Sequence, residues 1–141
     1  MISFFKNKKN NDEDNNNSYS KIAALLIHAA KIDEEYSDEE EKIIKKTLLD
    51  LGANQIELND LVMNAKKCEQ ESNQILDFTK EIKNMDEKEK IKIIESLWKI
   101  IFSNKNADMY ETNLMRRLSG LLYIDSKTMG DIKEKIKNEN L

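Results

Sequence analysis

Oxygen-bearing side chains recur at a seven-residue spacing in two parts of the chain. Asp33 is followed by Glu40 in the first part. Asn104 is followed by Glu111 in the second. In each pair the first residue ends a predicted helix and the glutamate begins the next, so a short turn brings both side chains toward the positive N-terminus of the second helix. Because such oxygens ligate hard cations, this pattern predicts a Ca²⁺ or Mg²⁺ site at these four residues and no other cofactor.

Two other interpretations of these residues remain open. Glu40 stands three residues after Ser37, and this is the spacing of a capping box, which needs no metal. Glu111 stands three residues after Asp108 in the same way. In addition, residues 33–41 include seven acidic side chains, and such a face would dock a basic protein partner without any ion. Neither turn has the glycine and the regular oxygen spacing of an EF-hand loop.

The elements that must position these residues are predicted to be helices. Apolar residues recur three and four positions apart along most of the chain, as one face of a helix requires. Most of these segments open on a Ser, Asn or Asp, which can cap a first turn. The predicted helices begin near Ser18, Ser37, Asn54, Ile75, Asp86, Asp108 and Ser126. We therefore expect an all-α fold, a compact bundle of about seven helices.

Composition favours the same fold and excludes several classes of function. The 141 residues include no proline and three glycines, which leaves little material for sheet bends or glycine-rich phosphate loops. The net charge of −4 disfavours nucleic acid as a partner. No apolar run is long enough for a transmembrane segment, and the single cysteine, Cys68, has no partner for an internal disulfide. These features predict a cytoplasmic protein.

The chain divides into two predicted parts. Residues 1–17 are polar and rich in Asn and Asp, so we expect a disordered N-terminal tail, followed by one helical domain over residues 18–141. The tail also carries apolar residues and lysines, so contact with an anionic membrane is its alternative role. Neither His28 nor Cys68 has an identifiable catalytic partner. Trp98 is predicted to be a core residue. We expect no catalytic residue and no enzymatic activity.

An internal repeat relates the two candidate turns. When the chain is shifted by 71 positions, apolar residues fall on apolar residues and capping residues fall on capping residues. The matched pairs are Ile22 with Ile93, Leu26 with Leu97, Ser37 with Asp108, Glu40 with Glu111, Ile43 with Leu114, Ile44 with Met115, and Leu51 with Leu122. Two similar helical hairpins are therefore expected to pack about a pseudo-twofold axis.

The residues around both turns resemble the TerB family of tellurite-resistance proteins, most closely its single-domain members. The resemblance covers residues 22–136 and rests on an alanine-rich run that ends at Asp33, on the two glutamates, and on the run from Leu114 to Leu122. The family pattern has Asp-Gly at the end of the first helix of each hairpin. This chain departs from it with Glu34 and Lys105 in place of the glycines, and with Asn104 in place of the second aspartate.

The resemblance implies an all-helical domain of two pseudo-repeats without enzymatic activity. It further implies an acidic cluster that binds metal cations, and a role in tellurite resistance and chemical stress at the inner face of the bacterial membrane. Because Lys105 brings a competing positive charge, the first hairpin is the better cation site. A related domain occurs in membrane-anchored co-chaperones, so the alternative function is a protein-protein interaction module that uses its acidic face without metal. The sequence leaves the oligomeric state open.

Overall fold

A computed structural model describes residues 18–31, 37–72, 75–103 and 111–139. Within these ranges the chain forms seven helices and no strand, as the sequence predicts. The helices are α1 (residues 18–31), α2 (Asp38–Asp50), α3 (Leu58–Glu71), α4 (Leu76–Ile82), α5 (Glu87–Ser103), α6 (Arg116–Leu121) and α7 (Ser126–Glu139). The predicted tail, residues 1–17, lies outside the described residues.

Two helices begin differently from the pattern in the sequence. Asn54 caps a short 3₁₀ turn (Gln55–Glu57), with its side chain accepting a hydrogen bond from Ile56 N, and α3 follows that turn. A π-helical turn (Glu111–Met115) leads into α6. Apolar periodicity could not reveal either change, because a single turn of 3₁₀ or π helix is too short to show a repeat of its own.

The first helix is buried on nearly all sides. The sequence predicts one apolar face on α1, but the structure closes most other positions as well, and eight of its residues are at most 1% exposed: Ile22, Ala23, Ala24, Leu25, Leu26, Ile27, Ala29 and Ala30. A helix that is apolar all round belongs in the centre of a bundle. Alanines fill half of these positions, which lets neighbouring helices approach α1 closely.

The other helices pack around this centre. α5 packs against both α7 and α2, α2 packs against α3, and α4 packs against α6. The contact between α2 and α5 includes a buried hydroxyl pair, Thr47 Oγ1 and Ser96 Oγ, 2.5 Å apart. Buried polar groups of this kind are held by hydrogen bonds, and each hydroxyl also reaches the backbone of its own helix. The pair fixes how α2 and α5 meet.

The same turn ends α2 and α6. Gly52 follows α2 with φ 109°, and Tyr123 follows α6 with φ 58°, so both take the left-handed position of a Schellman motif. The paired backbone hydrogen bonds of that motif are Gly52 N to Leu49 O (3.0 Å), Ala53 N to Leu48 O (2.9 Å), Tyr123 N to Gly120 O (3.4 Å) and Ile124 N to Ser119 O (3.0 Å). Each residue of the second turn stands 71 positions after its counterpart in the first.

A side chain closes the end of each of these helices. The Tyr19 hydroxyl donates to Leu51 O at 3.2 Å, beyond the end of α2. The Lys90 ammonium donates to Leu122 O at 3.0 Å, beyond the end of α6. Both donors satisfy a carbonyl that the helix itself leaves open. Tyr19 and Lys90 are also 71 positions apart, as are the two acceptors.

None of the helices in the described ranges combines the length and the apolarity needed to cross a membrane.

Candidate functional site

Glu40 is the one predicted site residue whose side chain the structure describes. It is 3% exposed and closes a capping box at the start of α2. The Ser37 N–H and the Ser37 hydroxyl donate to Glu40 Oε1 at 3.2 and 2.9 Å, and Glu40 N donates to Ser37 Oγ at 3.2 Å. The capping box predicted from the Ser37–Glu40 spacing is confirmed. A cation bound at this turn would share the Glu40 carboxylate with Ser37.

The structure describes no side-chain geometry for the other three predicted ligands. Asp33 and Asn104 lie outside the described residues. Glu111 begins the π-helical turn, at the place equivalent to the first turn of α2, but its side chain is not described. Among the described residues, no group of three or more His, Cys, Asp or Glu side chains is arranged to hold a metal ion. The cation site at these four residues stays a prediction.

The acidic face continues along the first turn of α2. Asp38 and Glu39 are exposed. Glu41 is partly covered, and its carboxylate contacts Lys66 of α3 at 2.9 Å and Lys45, one turn further along α2, at 3.7 Å. The helix N-terminus favours all of these carboxylates, because its unpaired N–H groups carry partial positive charge. The face that a cation or a basic partner would meet is therefore formed by Asp38 and Glu39, with Glu41 turned to lysines.

A second polar cluster joins α1 to α3. Glu69 accepts from Lys31 Nζ at 2.9 Å through Oε2, and its Oε1 lies 3.4 Å from His28 Nδ1. The sequence places His28 on the flank of a helix, and the structure agrees, but the partner on α3 was not predicted. His28 and Lys31 are three positions apart on one helix face, which is the only local signal that they could share an acid.

Trp98 is buried, as predicted for a core residue. Its ring stacks on Phe102, with centroids 5.5 Å apart, and Lys133 Nζ lies 5.8 Å from the ring centroid. The indole N–H is also buried and has no acceptor within the described part of the chain. A cleft of about 240 Å³ opens beside Trp98, between α5, α6 and α7. Sequence reasoning missed this cleft.

The two arginines of α6 have no acidic partner among the described side chains. The sequence leaves open whether Arg116 or Arg117 pairs with the acids of the turns. Both are exposed, and neither forms an ion pair with an acidic side chain that the structure describes. Arg116 instead lines the cleft beside Trp98.

Comparison with known proteins identifies a family for most of the chain. The family model described as tellurite resistance protein TerB matches residues 20–134, from α1 into α7. The match includes both candidate turns and every described core residue except Ile136. Searches of the curated proteins and of the solved structures find no match to this chain.

Proposed function

Because the chain belongs to the TerB family of tellurite-resistance proteins, we propose that it is a non-enzymatic module of a tellurite-resistance and chemical-stress response. In this proposal the turn between α1 and α2 binds Ca²⁺ or Mg²⁺ and couples the ion to the packing of the two helices. The supporting observation is the position of Glu40, a buried carboxylate in the first turn of α2, seven residues after Asp33 in the sequence. The family favours action in the cytoplasm, with protein partners at the inner face of the membrane.

The first turn is the better place for the ion than the second. Asp38 and Glu39 add two exposed carboxylates beside Glu40, so the local potential is strongly negative. The second turn has Asn104 in place of an aspartate and Lys105 beside it, which reduces the charge that attracts a cation. Asp33 supplies the carboxylate that the family pattern places at the end of the first helix.

We also propose that the two halves of the domain are copies of one helical unit. The Schellman turns at Gly52 and Tyr123 and the carbonyl donors before them recur 71 positions apart. The segments that follow also begin with an oxygen cap at matched positions, since Asn54 caps the 3₁₀ turn before α3 through Ile56 N at 3.0 Å and Asp125 accepts from Thr128 N at 2.7 Å at the start of α7. The hydrogen bond from Thr128 N lowers the pKa of Asp125. These shared features support a repeat over three helices.

Isotope-labelled protein titrated with Ca²⁺ or Mg²⁺ tests the cation site. Amide shifts of residues 33–41 should move at roughly millimolar ion, because weak protein sites bind Ca²⁺ with Kd values of about 0.1 to 1 mM. Asp33→Asn keeps an oxygen ligand but removes its charge, leaves the capping-box residues unchanged, and should reduce the shifts at each ion concentration. Asp131→Asn makes the same change at an exposed position on α7 and serves as its matched control. No movement in the wild type at roughly 10 mM ion overturns the proposal.

The second candidate function is protein docking through the acidic face without an ion. The exposure of Asp38 and Glu39 at the start of α2 favours it. The double change Asp38→Lys and Glu39→Lys should abolish capture of a basic partner while leaving the fold intact, since both side chains face solvent. Partner capture that survives this charge reversal excludes the acidic face as the docking surface.

A further inference from the structure

The cleft beside Trp98 has an unusual lining for this chain. Its floor and walls include the apolar side chains of Trp98, Met115 and Met129, and its charged residues are Arg116 and Lys133. Among the residues that the structure describes, no acidic side chain lines it, although the chain as a whole carries a net charge of −4. An apolar floor beside two cationic side chains favours an anionic group that carries an apolar body.

The fold does not need this cleft. Positions 71 residues earlier, in the first half of the domain, carry aliphatic side chains that are buried in the core. The pairs are Ile27 (0% exposed) with Trp98, Leu48 (0%) with Ser119, Leu58 (8%) with Met129, and Val62 (3%) with Lys133. In the repeat proposed above, the first half thus has hydrocarbon side chains at all four positions, whereas the second half has a hydroxyl and an ammonium at two of them. Packing alone gives no reason for this difference.

The buried indole N–H supplies the second observation. Trp98 is 2% exposed, and its Nε1 has no acceptor among the described residues and no contact with solvent. A buried donor without an acceptor destabilises the folded state, so a ligand oxygen that reaches it gains a strong hydrogen bond. Because the Nε1 atom is not exposed, a ligand oxygen reaches it only if the cleft wall moves, and Met115 and Met129 have the flexible side chains for such a movement.

The size of the cleft limits the ligand. A volume of about 240 Å³ is below the range of about 300 to 1,000 Å³ that is typical of pockets for drug-sized molecules. A nucleotide is therefore too large. A single carboxylate on a chain of a few carbons fits, and the planar guanidinium of Arg116 suits a carboxylate because it can donate two parallel hydrogen bonds.

We propose that the cleft between α5, α6 and α7 binds a carboxylate with a short apolar body. Arg116 and Lys133 hold the charge at the mouth, the Trp98 ring and the two methionines contact the apolar part, and the indole N–H donates to a ligand oxygen. The carboxylate comes either from a free small organic acid or from an acidic side chain of a peptide. The cleft shares no lining residue with the acidic first turn of α2, and binding there does not depend on a cation.

The single tryptophan makes binding directly observable. The wild type is titrated at constant ionic strength with hexanoate, with neutral hexanamide, and with the blocked peptide acetyl-Leu-Glu-Leu-amide, while Trp98 fluorescence and the indole N–H resonance are followed. Hexanoate or the peptide should change both signals, and hexanamide should not. A response to hexanoate identifies a free acid as sufficient, whereas a response to the peptide alone identifies a side-chain ligand.

Two variants locate the site. Arg116→Gln should weaken binding about fivefold or more, and Arg117→Gln, its exposed neighbour outside the cleft, should not. Ser119→Leu installs the residue found at the matched position of the first half and should close the cleft to both ligands. The proposal is overturned if no carboxylate alters Trp98 at roughly 50 mM, if hexanamide acts equally, or if Arg116→Gln and Arg117→Gln bind alike.

Discussion

Glu40 offers the sharpest test of how the first turn is held together. In Glu40→Ala the Ser37 N–H loses its acceptor, the start of α2 loses a favourable charge, and a buried methylene is removed. A capping interaction contributes about 1 kcal/mol, the helix-dipole term about 0.3 to 1, and the methylene about 0.8. We expect the free energy of unfolding to fall by about 2 kcal/mol. Glu40→Gln keeps an acceptor oxygen and the methylene, so it should lose only about 0.5 kcal/mol, the charge contribution.

Urea unfolding in the presence of EDTA measures both losses without any contribution from a bound ion. The melting temperature of Glu40→Ala should be lower by roughly 6 to 10 °C, given about 3 to 5 °C for each kcal/mol in a domain of this size. Glu39→Ala is the control, because Glu39 is exposed in the same turn and should change stability by less than about 0.5 kcal/mol. Equal losses for the Ala and Gln variants at Glu40, or a loss that disappears in EDTA, would refute the capping explanation.

Two further predictions concern glycine positions and a partly buried tyrosine. Gly52→Ala should destabilise the folded protein by about 1 to 2 kcal/mol, because φ is 109° and a Cβ there would lie 3.1 Å from the Tyr19 hydroxyl. Gly130 lies inside α7 with open space around it, so Gly130→Ala should stabilise the folded protein by about 0.5 to 1 kcal/mol. Thermal unfolding should show a lower melting temperature for Gly52→Ala and a higher one for Gly130→Ala than for the wild type. Changes of the same sign in both variants would contradict the assigned turn. Burial and the nearby Glu89 carboxylate raise the pKa of Tyr19, so the folded state holds that proton more tightly than the unfolded state, and stability should fall as the pH rises past about 10. Tyr19→Phe loses the hydrogen bond to Leu51, which is worth about 1 kcal/mol at pH 7, but it does not lose stability at alkaline pH. The difference in unfolding free energy between the wild type and Tyr19→Phe, measured by urea unfolding, should therefore be smaller near pH 10.5. A difference that stays constant with pH would contradict the raised pKa of Tyr19.

Local signals in the sequence were sufficient for the helices. Ser37 and Asn54 cap where their side chains can reach the next backbone N–H groups, so both starts could be read from a few neighbouring residues. The burial of α1 on nearly all sides could not be predicted from the sequence. Periodicity identifies an apolar face, but it does not show how many other helices surround that helix. Tyr123 in a left-handed position also escaped prediction, since glycine is the usual residue there.

Contacts between distant residues limited what could be said of the site. The pairing of Glu41 with Lys66 and that of His28 with Glu69 join residues on different helices, and no spacing rule relates them. The cleft depends on Ser119, a small residue whose effect is to leave space. A missing side chain gives no pattern in a single sequence. Only its comparison with the buried residue 71 positions earlier, Leu48, makes the cleft noticeable.

The measurement that bears most directly on cation binding at the first turn is the Ca²⁺ dependence of unfolding. A ligand that binds only the folded state stabilises it according to the ratio of free ligand to Kd, so roughly 10 mM Ca²⁺ and a Kd of about 0.1 to 1 mM give about 1.4 to 2.7 kcal/mol. The wild type should gain this stability over its value in EDTA, and Asp33→Asn, which keeps an oxygen ligand without its charge, should gain less. Equal stability of the wild type in Ca²⁺ and in EDTA, or the same gain in Asp33→Asn, would contradict a cation site at this turn.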